Sequence, residues 1–260
     1  MGIALVTGGT SGIGAAFARA LAARGHDLIL VARGQDGLDG MAEELRATGR
    51  RVELMAADLA KPDDTDRVAA RLADRTSPVD ILVNNAGFGL HSKLADPDIA
   101  EHERAIAVML RAPIVLTGAV LAPMRERGAG TIINVGSVAG EITLGGYSAL
   151  KAWMRSYSES LSNELHGTGV TVTDLMPGWV HTEFHARAEI RTNSIPNSLW
   201  IDAELLVTEC LRDVDRKRVL SIPTVRFKVL TWFTRHLPRS TMRAVSRRIS
   251  LSRSSSTVTE

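Results

Sequence analysis

Tyr147 and Lys151 stand four positions apart in a stretch with a helical apolar pattern, so they share one helix face. A phenol at its ordinary pKa of about 10 is a poor base at neutral pH, and a nearby ammonium lowers that value. Tyr-x3-Lys alone is a frequent accident, but this chain has only 2 tyrosines, Tyr147 and Tyr157. Ser137 offers a hydroxyl ten positions upstream, just after the β-branched run 131–135. Near the start, Thr7-Gly8-Gly9-Thr10-Ser11-Gly12-Ile13-Gly14 follows one apolar run and opens a helical pattern. Glycines let the backbone turn sharply, and a helix N-terminus offers free N–H groups to phosphate. A glycine loop alone is weak evidence; its place between strand and helix strengthens it.

Short β-branched runs alternate with amphipathic stretches. Strands are predicted at 3–7, 27–31, 51–56, 80–84, 131–135, 170–176 and 219–222, and helices at 13–24, 37–48, 63–75, 98–127, 147–166 and 202–212. This alternation predicts an α/β fold: a doubly wound parallel sheet of about seven strands with helices on both faces. Ligands of such sheets sit beyond the carboxyl ends of the strands, where these candidate residues fall. Pro113 lies inside the longest helical pattern and is expected to kink it.

Four motifs occur in order: Thr7-Gly8-x3-Gly12-Ile13-Gly14, Asn84-Asn85-Ala86-Gly87, Tyr147-x3-Lys151 and Pro177-Gly178. Together they resemble the short-chain dehydrogenase/reductase family over roughly residues 2 to 183. The resemblance implies a Rossmann-like, three-layer fold and hydride transfer between NADP(H) and a carbonyl or alcohol. It assigns Gly8, Thr10, Ser11, Gly12, Ile13 and Gly14 to the pyrophosphate, and Asp58 and Leu59 to the adenine. Asn85, Ala86 and Gly87 would lie along the cofactor. Pro177, Gly178, Val180 and Thr182 would lie at the nicotinamide. It makes Tyr147 the general acid/base, Lys151 its tuning partner and ribose ligand, and Ser137 the hydrogen-bond partner of the substrate oxygen. NAD-preferring relatives carry an acid after the second strand; here Ala32-Arg33 stands instead, and a guanidinium suits a 2′-phosphate. Asp58 is equally readable as a helix cap.

Two departures from the family pattern stand out. The Ser137–Tyr147 spacing is a few residues short, which questions the register of Ser137. Val108-Met109-Leu110 stands where relatives carry an Asn that holds a water behind the lysine. A thioether lacks a donor and is a weak acceptor, so the relay is weakened, or it is rerouted through another polar group or a water on a backbone carbonyl of the helix kinked by Pro113.

Of the 260 residues, 45% are apolar and 23% charged, enough for one substantial core. No basic leader precedes the first strand, and no uninterrupted apolar run approaches the roughly 18–20 residues of a membrane span. Cys210 is the only cysteine, so no internal disulfide forms and no metal site is expected. A cytoplasmic protein is the expectation. Residues 1–223 read as the catalytic domain and 224–260 as a basic extension. Between Asp215 and Glu260 there is no acid, while eleven Lys or Arg run from Arg216 to Arg253. Val229, Leu230, Trp232, Phe233 and Leu237 lie among Arg226, Lys228 and Arg235, a pattern suited to an anionic membrane surface or to covering the core. No nucleic-acid motif is present. A homo-oligomer and a lipophilic carbonyl substrate are expected. The competing reading is a non-catalytic NADP(H)-binding sensor or scaffold, which would have no use for Tyr147 and Lys151 together.

Overall fold

The structure is a computed structural model and describes residues 2–90, 92–181, 200–238, 240–244 and 246–247. Its strands are β1 (Ile3–Thr7), β2 (Asp27–Ala32), β3 (Val52–Ala56), β4 (Val79–Asn84), β5 (Gly130–Val135), β6 (Val170–Leu175), β7 (Trp179–His181), β8 (Trp200–Asp202) and β9 (Leu220–Ser221). Seven of them form one parallel sheet in the order β3-β2-β1-β4-β5-β6-β9. The chain reverses direction across the sheet between β1 and β4, which opens a crevice at their carboxyl ends. The predicted strands match within two residues. The short parallel pair β7–β8 was not foreseen: three residues per strand are too few to show a period.

The helices are α1 (Gly12–Ala23), α2 (Gln35–Arg46), α3 (Pro62–Leu72), α4 (Ala100–Ile106), α5 (Ala112–Arg127), α6 (Gly145–Glu164), α7 (Ala203–Asp215) and α8 (Val225–His236). Phe17, Leu21, Leu45, Leu206 and Cys210, from α1, α2 and α7, bury one sheet face. Leu72, Leu116, Val120 and Leu161, from α3, α5 and α6, bury the other. The result is three layers. Leu116 is fully buried between α5 and the sheet; truncating such a leucine to alanine typically costs about 2–5 kcal/mol.

The helix expected at 98–127 is interrupted. Between α4 and α5 the residues Ala107–Arg111 form one π-helical turn, closed by the Ala112 N–H on the Ala107 carbonyl. Pro113 has no N–H and cannot serve the carbonyl four residues back, at Met109, so the widened turn sits where the regular ladder fails. By length and composition the segment Ala100–Arg127 would suffice to cross a membrane, although Arg111 interrupts its apolar run. In the fold it covers the sheet, with Val120 and Met124 fully buried.

Polar residues brace the sheet beneath the site. Asn84 donates to Asn134 (2.9 Å) and Thr117 (3.2 Å), and Asn134 donates to Ser158 on α6 (2.9 Å).

Candidate active site

The glycine loop is shaped by backbone contact. Gly8 and Gly12 have φ of +64° and +53°, values a side chain would strain. A Cβ on Gly14 would lie 2.1 Å from the Gly8 carbonyl oxygen, so only glycine lets α1 start this close. Thr7 ties the loop to the next motif: its hydroxyl accepts the N–H groups of Asn85 (2.9 Å) and Ala86 (3.0 Å) and donates to the Val83 carbonyl (3.2 Å). The Asn85 amide donates to the carbonyls of Thr7 (2.9 Å) and Gly8 (3.2 Å). Asn85 therefore shapes the loop from behind. Ser11 caps α1 with extended backbone and no side-chain cap bond, and no acid lies in the first turn. These first-turn N–H groups of α1, at Ile13 and Gly14, suit an anion. Thr10 lies against Gly37 on α2.

Arg33 follows β2, is exposed, and makes no ion pair among the described residues. Asp58 is held more tightly than the sequence suggested. Its carboxylate accepts the Ala60 N–H (3.1 Å) and both its oxygens bond Arg104 on α4 (3.1 and 3.0 Å). Burial raises its proton affinity, but the Ala60 N–H and the positive Arg104 and Arg33 hold the carboxyl below its usual range. Arg104, 46 residues away, carries no sequence signal. Leu59 is buried beside it.

Ser137 begins a 3₁₀ turn, Val138–Glu141, accepting the Ala139 N–H (3.1 Å) and donating to the Pro177 carbonyl (3.4 Å). Its hydroxyl also hydrogen-bonds the Tyr147 phenol. The short loop thus reaches: a Cβ on Gly140 would lie 2.8 Å from the α6 backbone at Lys151 and Ala152, so the turn hugs the helix. Lys151 is buried, donates to the Val135 carbonyl (2.7 Å), and its Nζ lies 5.6 Å from the Tyr147 ring centre. Burial pushes Tyr147 up to about 12, with the Ser137 bond pulling the other way. Burial works against Lys151's own charge and brings its pKa down to about 8, with Asp174 opposing.

Pro177 accepts the Val138 N–H (3.1 Å), which joins the Pro-Gly segment to the serine turn. Gly178 lies under the Phe227 ring, where a Cβ would come within 2.0 Å. Val180 is buried and pairs with Ile201. Thr182 lies outside the described residues.

The model of the short chain dehydrogenase family matches residues 2–192. The chain belongs to this family. A short chain dehydrogenase of Pseudocercospora fijiensis is 37% identical over 70% of this chain and 61% of that protein. Thus the match spans less than two thirds of that relative. Among solved structures, a short-chain dehydrogenase from Sphingobium yanoikuyae in complex with NADPH is 33% identical, with TM-score 0.82 over 92% of this chain and 97% of that one. The bulky-bulky ketone specific alcohol dehydrogenase from Comamonas testosteroni is 32% identical, with TM-score 0.77 over 97% and 94%.

On this short-chain dehydrogenase, Met109 is buried in the π turn, and its Sδ would lie 3.2 Å from a Cβ on Gly87. The segment after residue 223 folds back on the catalytic loop. Phe227 of α8 covers Gly178, and Arg235 bonds Glu141 (2.8 Å), which also pairs with Arg155 on α6 (3.3 Å). Ser246 accepts the Thr143 N–H (3.3 Å). Sequence reasoning missed these contacts of Phe227, Glu141 and Arg155, because none of the three carries a signal of what it packs against.

Proposed function

We propose that the chain is an NADP(H)-dependent oxidoreductase that moves a hydride between the nicotinamide and a carbonyl or secondary alcohol. The observation that carries the reading is Tyr147 bonded to Ser137 with Lys151 beside its ring. The described residues fit the cofactor: a glycine cradle that a Cβ would fill, a helix N-terminus without acid, and an unpaired Arg33 for a 2′-phosphate. Gly8, Thr10, Ser11, Gly12, Ile13 and Gly14 would hold the pyrophosphate, and Asp58 and Leu59 the adenine side. Asn85, Ala86, Gly87, Pro177, Gly178, Val180 and Thr182 would line the remainder. When bound, the cofactor supplies or accepts the hydride.

The chain's residues handle oxygen and proton. Ser137 orients the substrate oxygen. Tyr147 is protonated at neutral pH, since burial holds its pKa high, and so stands ready to donate to an oxygen that gains charge. Lys151 binds the ribose and supplies positive charge beside the phenol. A sensor without chemistry needs no buried proton donor. The expected result of Tyr147→Phe is loss of turnover by about 10²- to 10⁴-fold with NADPH binding kept. NADPH consumption over carbonyls of graded chain length, set beside NADPH titration, checks it; a near-normal rate would assign the proton elsewhere.

The reading extends to a lipophilic substrate. Trp179 and Trp200, with ring centres 6.0 Å apart, supply apolar surface beside Val180, to which the half-buried Leu144 of the loop before α6 would add. The ketones named for the Comamonas relative are likewise bulky. The enzyme works in the cytoplasm as a homo-oligomer. The half-buried Trp153–Tyr157 stack on α6 and the exposed Ile106 and Ile114 favour such pairing. Residues 1–223 are the catalytic body and 224–260 an extension whose outer face meets anionic membrane surfaces.

A further inference from the structure

Thr224, the residue before α8, has φ +76° and ψ 136°. A β-branched side chain crowds its own backbone at such angles, which glycine takes freely. The Thr224 hydroxyl is buried, finds no hydrogen-bond partner among the described residues and does not cap the helix it precedes. Pro223, just before it, is buried after the edge strand β9. Strain of this kind persists only where the surroundings hold it in place.

What holds it is the seating of α8, and α8 is seated on two loops of the site. Phe227 covers Gly178, and Arg235 bonds Glu141 (2.8 Å) at the end of the serine turn. Past the helix, Ser246 accepts the Thr143 N–H (3.3 Å). Among the described elements, the turn Val138–Glu141 is the one against which α8 mainly packs. Phe227, the one large side chain that α8 buries, joins neither apolar layer of the core. Val225, Val229, Leu230, Trp232 and Phe233 stay about half exposed or more. The helix is therefore fastened to the catalytic loops and not to the sheet.

Two arrangements follow from this balance. With α8 down, Phe227 and Arg235 clamp the Pro177–Gly178 segment and the Ser137 turn, which are already joined by the Val138 N–H on the Pro177 carbonyl (3.1 Å). With α8 lifted, Thr224 relaxes to ordinary extended backbone, its hydroxyl meets water, and Glu141 keeps Arg155 as its partner. Strain at the hinge opposes the contacts at the far end, so neither arrangement wins by much. A lone helix of 12 residues is marginal in water, so lifting α8 also loosens its own ladder.

We propose that α8 is a hinged strap that swings about Thr224, and that its opening governs how fast the nicotinamide cofactor leaves the site. This rests on the reading of the chain as an NADP(H) enzyme, but one readout needs no cofactor. Two full-length variants are set beside wild type. Thr224→Gly takes φ +76° without strain and favours the closed strap; this relief outweighs the freedom that glycine gains when the strap is open. Arg235→Ala removes the far anchor and favours the open one. Without added cofactor, amide hydrogens of residues 225–236 and 138–143 are expected to exchange about three- to tenfold more slowly in Thr224→Gly and faster by a similar factor in Arg235→Ala. NADPH release, followed by stopped-flow fluorescence, is expected to shift in the same order. Equal exchange in all three proteins overturns the strap, and so does faster exchange in Thr224→Gly. Ordered exchange with equal NADPH release overturns its role as a gate. If Thr224→Gly does not melt cooperatively, Arg235→Ala against wild type decides by the same criteria. If no protein of the three binds NADPH, the functional reading falls, and ordered exchange still supports the strap.

Discussion

At Lys151 burial and function pull in opposite directions. Its folded pKa of about 8 lies below the ordinary 10.5, so folding is opposed by this residue wherever the unfolded chain keeps the proton more firmly. The penalty is full below about pH 8 and fades as pH rises toward 10.5. At about 1.4 kcal/mol per decade it is on the order of 3 kcal/mol. Lys151→Met is therefore expected to melt several degrees higher than wild type at pH 7, with the gap closing by pH 10, while turnover is lost. Melting curves across that range check it; a variant less stable at pH 7 would show that the Val135 bond outweighs burial. Arg33 makes the opposite case, an exposed charge with no structural partner among the described residues. Hydrogen bonds to charged groups contribute about 1.5–3 kcal/mol. Arg33→Ala is expected to weaken NADPH binding roughly 10- to 100-fold and leave NADH nearly unchanged. Titration of both cofactors tests this, and a preserved ratio would place the 2′-phosphate elsewhere. Arg33, Tyr147 and Lys151 stood out in the sequence because residue type and spacing suggest chemistry. Asp174 did not: a lone acid in an apolar strand looks ordinary until the sheet puts it under Gly136.

Among the elements, regular strands and helices were legible from their periods, and the exceptions lie where side-chain pattern says nothing about the backbone. The π turn at Ala107–Arg111 is one. Pro113 pointed to a kink, but only the fold shows that Met109's carbonyl is the one deprived of its donor four residues on. A water held by that carbonyl is one of the reroutings the sequence left open for the missing Asn. Helix α8 is the other exception. Its basic, aromatic sequence suited either a membrane surface or a cover for the core, but not which residues it would touch: its inner face holds the catalytic loop through Phe227 on Gly178 and Arg235 on Glu141. The Arg235 side chain is only 33% exposed and Glu141 only 7%. Glu141 keeps its pair with Arg155 when Arg235 is removed, so no carboxylate is left without a partner and Arg235→Ala should lower the melting temperature only modestly. Glu141, however, ends the turn that starts at Ser137, and small displacements of reacting groups are costly in rate. Turnover is expected to fall about three- to tenfold, read by steady-state kinetics beside a melt. Equal turnover would reduce α8 to a cover.

Charge across the whole molecule is nearly balanced, at +2, but it is distributed unevenly. Past Asp215 the acids stop until Glu260 while eleven cations accumulate. Within this stretch α8 turns Phe227 and Thr231 inward and leaves Trp232 (55% exposed), Phe233 (53%), Leu230 (50%) and Val229 (49%) outside. The helix thus has two apolar faces. One is satisfied by the catalytic loop; the other lies among Arg226 and Lys228 and stays about half exposed among the described residues. Aromatic rings that enter the headgroup region, beside cations that meet lipid phosphate, are the composition of an interfacial helix. Each cation near an anionic surface contributes about 1 kcal/mol, screened within a Debye length of about 10 Å at 0.1 M salt. A homo-oligomer would present the face more than once and multiply weak contacts. The full-length protein is therefore expected to sediment with vesicles rich in phosphatidylglycerol, to stay in solution with pure phosphatidylcholine, and to be released as salt rises to about 0.5 M. Trp232→Ala with Phe233→Ala leaves every cation and the inner contacts in place, so it should lower binding at least several-fold while turnover on a soluble carbonyl persists. If the double variant binds as well as wild type, the attraction is charge alone and the apolar face serves another partner. If neither protein sediments, or the double variant loses its oligomeric state instead of its vesicles, the outer face of α8 joins copies of the enzyme and the membrane reading is wrong.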